Sequence, residues 1–114
     1  MNIMNVNNTA FSAKIPARIN ITTKNPAMQE SAEECFYGIM KQRKDSAKKL
    51  TSMLEYLDKT VNLFFRGNEV VGRQNTNAVY INAGGPRTSR FDFEQAQDGE
   101  ELLSTIIENI NLNA

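Results

Sequence analysis

The segment FYGIMKQRKDSAKKLTSMLEYLDKTVNLFF, Phe36 to Phe65, decides how this chain is read. Apolar side chains recur at Phe36, Met40, Ala47, Leu50, Leu54, Leu57, Val61 and Phe64, stepping alternately by four and three, with Arg43 in the one polar slot. That spacing is a heptad seam of about four repeats. The segment holds a single Gly, Gly38, and no Pro. Its Ala, Leu, Met, Glu, Lys and Gln lose little side-chain freedom in a helix.

Upstream, Asn25-Pro26 reads as an N-cap followed by Pro at the first helical position, and Ser31-Ala32-Glu33-Glu34 offers a capping box one turn later. One continuous helix over residues 26–63 is therefore expected. At about 1.5 Å per residue it would run roughly 57 Å. A compact domain of this length has a radius of gyration of about 13 Å, so its own chain could not cover such a rod. The competing arrangement breaks at Lys41-Gln42-Arg43-Lys44-Asp45-Ser46, where Asp45 or Ser46 could cap a second helix of an antiparallel helical hairpin. No Gly or Pro in that hexapeptide eases a turn, which favours the single helix.

Residues 1–24 read as a flexible or extended arm, disordered over its first ten residues. Within it Ile15, Ala17, Ile19 and Ile21 alternate with Lys14, Pro16, Arg18 and Asn20, the pattern of an edge strand or docked extended segment. Downstream the period changes. Leu63-Phe64-Phe65, Glu69-Val70-Val71 and Ala78-Val79-Tyr80-Ile81 are short β-branched or aromatic runs, separated by the apparent turns Arg66-Gly67-Asn68 and Gly72 to Asn77. Arg90 to Phe93 offers a further strand. Asp98-Gly99-Glu100-Glu101 is a relative of the capping box, and Leu102, Leu103, Ile106, Ile107 and Ile110 follow on one helical face. The class is α+β: an arm over 1–24, then a single domain over 25–114. That domain has a long helix over about 26–63, a small antiparallel sheet of two to four strands within 63–93, and a short amphipathic helix over about 99–110.

Missing residue types narrow the chemistry. The chain has no His and one Cys. That excludes Ser-His-Asp and Cys-His catalysis, an internal disulfide, and zinc sites built from cysteine and histidine. Cys35, beside Phe36, is expected to be a buried or half-buried small apolar residue. The first residues lack the basic start and apolar run of an export signal, and no segment reaches the roughly 18 to 20 apolar residues of a membrane span, so a soluble cytoplasmic protein is expected.

Three stretches carry chemistry. Ala83-Gly84-Gly85-Pro86-Arg87-Thr88-Ser89-Arg90 has the ingredients of an anion site but lacks the phosphate-loop pattern, and reads as a surface loop. The carboxylates Asp92, Glu94, Asp98, Glu100 and Glu101 fail the EF-hand spacing, and favourable charge at the start of the last helix explains three of them. Lys41, Lys44 and Lys48 share one helix face, with Arg43 and Lys49 beside it, either as a solvated face or as a phosphate-tracking stripe. No catalytic, cofactor-binding or metal-binding residue is assigned.

The expected function is a non-enzymatic interaction or self-association module. Its seam, Phe36, Met40, Arg43, Ala47, Leu50, Leu54, Leu57, Val61 and Phe64, would dock on a protein partner or a second copy, with Arg43 setting register by pairing with an acid on the partner helix. The alternatives are a chaperone-like adaptor that holds an extended client, and a weak nucleic-acid binder using the Lys41–Lys49 face with Arg66, Arg73, Arg87 and Arg90. Net charge is zero, but residues 1–90 hold all thirteen cations and seven acids, while residues 91–114 hold six acids and no cation. An acidic last helix masking the basic face would follow from that polarity.

Overall fold

In the computed structural model, which describes residues 14–71, 74–93 and 99–114, the long helix is two. Helix α1 spans Gln29–Gln42 and α2 spans Lys44–Leu57, and Arg43 between them leaves the helical region at φ −119°, ψ 61°. The dimensions explain the break. The molecule measures 41 × 37 × 28 Å, shorter in every direction than a rod of roughly 57 Å. Bending at the polar hexapeptide turns both halves of the seam onto one core, which takes Phe36 and Met40 from α1 and Leu50 and Leu54 from α2. Burying a leucine side chain is worth about 1.5–3 kcal/mol, so two of them outweigh a net loss of about 1 kcal/mol for each helical hydrogen bond given up. Ahead of α1, Asn25 Oδ1 accepts from the Ala27 N–H at 3.0 Å and opens a 3₁₀ turn over Pro26–Met28. Ser31 lies inside α1 and caps nothing.

The expected end at residue 63 is also revised. Helix α2 stops at Asp58, which takes the left-handed conformation at φ 54° while the Lys59 N–H reaches back to the Leu54 carbonyl at 2.9 Å. Val61 and Phe64 therefore belong to a strand, on opposite faces of it, and not to a helical seam.

The four strands stand in chain order: β1 Ile19–Thr23, β2 Val61–Val71, β3 Gln74–Asn82 and β4 Ser89–Phe93. Strand β1, the alternating stretch of the arm, is an edge strand and runs parallel to β2, as the helical crossover between them permits. The other two pairings are antiparallel. Arg66-Gly67-Asn68 is not a turn: β2 runs through it with a β-bulge between Phe65 and Gly67, the latter at φ 78°. A lone Gly between two strand-forming runs marks a bulge as readily as a turn.

Helix α3, Gly99–Leu112, completes the fold. All three helices supply one cluster with the inward residues of the sheet, among them Ile19, Ile21, Val61, Leu63, Phe65, Val79, Ile81 and Phe91. Helices thus lie on one face of the sheet; on the other, Ala78 is buried and Gly67 lies buried against Met28, while Asn20, Thr22, Asn62 and Arg90 are exposed. The proposed disorder of residues 1–10, and Arg73, Glu94 and the Asp98 cap, lie outside the described residues.

Candidate functional site

The heptad seam finds its partner inside the chain. Helix α2 packs beside α3, and the two run in the same direction: Ser46 meets Glu100 near their starts, and Lys59 meets Asn113 just past their ends. Leu50 and Leu54 are fully buried, and Ala47 and Leu57 pack half-buried against the same core. Arg43 pairs with Glu100 of α3, with Arg43 Nε 3.6 Å from Glu100 Oε1. Ser46 Oγ donates to the other carboxylate oxygen at 2.7 Å. A cleft of about 560 Å³ opens here, lined by Lys41, Gln42, Arg43, Lys44, Asp45, Ser46 and Glu100. The start of the acidic helix reaches Arg43, while Lys41, Lys44 and Lys48 are exposed to solvent.

The Gly-Gly-Pro loop is a packing device. Asn109, fully buried on α3, accepts the Ala83 N–H at 2.8 Å and donates to Ser89 Oγ at 2.8 Å and to the Arg87 carbonyl at 3.1 Å. Asn82 Oδ1 takes the Gly84 N–H at 2.8 Å, and Asn113 Oδ1 takes the Arg87 N–H at 3.0 Å. The backbone donors of Ala83, Gly84 and Arg87, which an anion would need, are thus spent on carboxamides. A side chain at Gly85 would collide with Asn113. Asn109 and Asn113 lie four apart, in line with Leu102 and Ile106 on the buried face of α3. Polar residues on an apolar stripe were the signal that sequence reasoning passed over.

Strand β1 presents one edge of the sheet. The Val61 N–H donates to the Arg18 carbonyl and the Lys24 N–H to the Phe65 carbonyl, so Ile19, Ile21 and Thr23 turn their backbone groups to the open side. There the Ile19 N–H is taken by the Pro16 carbonyl at 3.0 Å, and the Ile21 carbonyl by Gln29 Nε2 at 2.7 Å. A cleft of about 380 Å³ follows this edge, with the buried Glu33 in its wall. An extended client would meet an edge already engaged at two points, the usual guard against strand addition.

Cys35 is exposed, contrary to expectation, because Ala32, Phe36 and Met40 define the buried face of α1 and Cys35 lies a hundred degrees off it. Partial burial of the sulfur, and then the Glu34 charge, push its thiol above the ordinary value, so it is not a poised nucleophile. Among the described residues no group of three or more cysteines and carboxylates could hold a metal ion. Asp92 lies on β4 and pairs with Arg90 at 2.9 Å.

The face of the sheet away from the helices concentrates what remains. Register aligns Thr22, Phe64, Tyr80 and Arg90 in one row across the four strands. Arg66, the bulge residue, and Arg90 approach Tyr80 from the strands on either side, each guanidinium carbon 5.6 Å from the ring centroid. Arg90 Nη1 also donates to the Tyr80 hydroxyl at 3.1 Å. The next row carries Asn20 and Asn62, joined by a 3.2 Å carboxamide hydrogen bond. Arg66 and Arg90 are thus brought together, while Arg87 sits in the pinned loop and the three lysines lie on helices. No described helix is long and apolar enough to cross a membrane. No protein-family model, curated protein or solved structure matches the chain.

Proposed function

We propose that the protein is a binding module and not a catalyst, and that its working surface is the open face of the sheet, in place of the heptad-patterned helix. The observation that carries this reading is the Arg66–Tyr80–Arg90 cluster, two cations held against one ring on the face of the sheet away from the helices. Its side chains are guanidiniums, carboxamides and aromatic rings, groups that bind and orient. Rigid aromatic and arginine side chains are also the types that dominate binding hot spots. The seam loses the excess length that argued for a second chain, since α3 meets it from within.

Hydroxyl-radical footprinting in extract from the source cells tests the choice of surface. Phe64 and Tyr80 are expected to be protected in extract relative to the purified protein, while Tyr56, 89% exposed on α2, keeps its reactivity. Unchanged labelling of Phe64 and Tyr80 with protection of the Lys41–Tyr56 surface would return the function to the helices.

A further inference from the structure

We propose that the open sheet face binds single-stranded nucleic acid, its phosphates met by Arg66 and Arg90 and a base laid against Phe64. This rests on the reading of that face as the working surface. The two guanidiniums are positioned before any ligand arrives, both by the Tyr80 ring and Arg90 further by the Tyr80 hydroxyl and Asp92. Ordering them in advance lowers the entropic cost of contact, and a planar guanidinium matches the oxygens of a phosphate. Phe64 stands directly opposite Tyr80 on the adjacent strand and is half-buried, so its ring belongs to the surface and is not a protruding anchor. Alongside it, Asn20 and Asn62 present the mixed donors and acceptors that base edges use.

Two comparisons select this occupant. A protein interface is built around a desolvated apolar centre, and the widely exposed large apolar residues described, Tyr56 and Leu112, both lie on helices on the opposite side of the sheet. The sheet face instead interleaves rings with cations and amides. A duplex would need a groove-entering element and a broad basic stripe, whereas a flat sheet with two cations suits an unstacked strand. Charge is local: the two guanidiniums share the face with Asp92, which is engaged with Arg90.

The test is fluorescence anisotropy of the full chain with labelled twelve-nucleotide oligo(dT) and oligo(U), from 50 to 300 mM salt. Two phosphate contacts predict a slope of log affinity against log salt of about −1.4, falling to about −0.7 in R66A or R90A. Phe64→Ala is expected to weaken binding roughly tenfold or more. Phe64→Leu, which keeps the apolar contact and removes the ring, serves if the alanine variant fails to fold. Inorganic polyphosphate binding as tightly as oligo(dT), with no loss in the Phe64 variants, would overturn the base contact. Binding abolished by K41E/K44E/K48E and untouched by the Phe64 and Arg90 variants would overturn both this inference and the choice of face. No oligonucleotide binding at 50 mM salt sinks the inference alone; protection of Phe64 and Tyr80 in extract would then assign the face to a protein.

Discussion

Phe64 and Phe65 are the same residue, adjacent in β2, and they do opposite work. Phe65 is 8% exposed and belongs to the core cluster, while Phe64 is half-buried on the open face opposite Tyr80. The pleat alone separates them, sending successive side chains to opposite faces. Inside, the identity of a residue is set by the volume left by its neighbours; outside, folding leaves the choice nearly open. A ring placed there invites an explanation from binding. The sharpest break in the comparison is a pair of truncations. Phe65→Ala should cost about 3–5 kcal/mol, because transfer and cavity terms add in a packed interior. Phe64→Ala should cost about 1 kcal/mol on the solvent face. Chemical denaturation at constant m-value measures both, and equal costs would mean that the open face is a second core.

Asparagines divide the same way. Asn109 satisfies the Ala83 N–H, the Arg87 carbonyl and Ser89 Oγ from a fully buried position. Asn62 on the open face bonds to Asn20 within reach of water. Asn109→Ala should destabilise by about 2–4 kcal/mol, since a buried backbone donor is left without its acceptor. Asn62→Ala should change stability by no more than about 0.5 kcal/mol. Hydrogen exchange at the Ala83 amide gives an independent reading: it should accelerate in the Asn109 variant and stay unchanged in the Asn62 variant.

Such contrasts also mark how far the chain could be read without coordinates. Part of the inner face was legible, because Ile19 and Ile21 alternate with polar residues and the last helix carries its apolar stripe at helical spacing, whereas Val61 fitted a helical seam equally well. The α+β class followed from those periods. The break at Arg43 was legible only as the less favoured of two arrangements, because nothing local demands it; it comes from the size of the sheet that both half-seams must reach. Parallel pairing of β1 with β2 is likewise a long-range event, joining Ile19 to Val61 across two helices. Arg66 and Arg90 stood out as cations, but only strand register shows that Tyr80 lies between them. The acid that meets Arg43, Glu100, lies fifty-seven residues away in the same chain, a pairing that no local pattern announces.

Two of the ion pairs offer a smaller contrast. Arg43–Glu100 joins two helices and Arg90–Asp92 lies along one strand, and their side chains are 37%/50% and 32%/36% exposed. Solvent screening at that exposure holds each pair to about 0–1 kcal/mol. A double-mutant cycle on Arg43 and Glu100 should give a coupling within that range that fades in 1 M salt. A coupling above about 2 kcal/mol would mean that the start of α3 is fixed electrostatically and not by Leu102, Leu103 and Ile106.

Cys35 tests the boundary between inside and outside, being an exposed residue with a partly covered sulfur. Its thiol is pushed up first by burial and second by Glu34, so at a given pH the folded protein holds less thiolate than an unstructured cysteine would. Iodoacetamide should therefore modify native Cys35 more slowly than the urea-unfolded chain at pH 8. The sign of the linked stability follows: the native state keeps its proton to higher pH, so this contribution is intact below the unfolded thiol's pKa and is lost as pH rises through the folded one. Glu34→Gln removes the lesser cause and should speed alkylation modestly without reaching the unfolded rate, because the larger cause, burial, persists. An alkylation rate in the variant equal to that of the unfolded chain would show that charge, and not cover by neighbouring atoms, restrains the sulfur, and would move Cys35 wholly to the outside of the molecule.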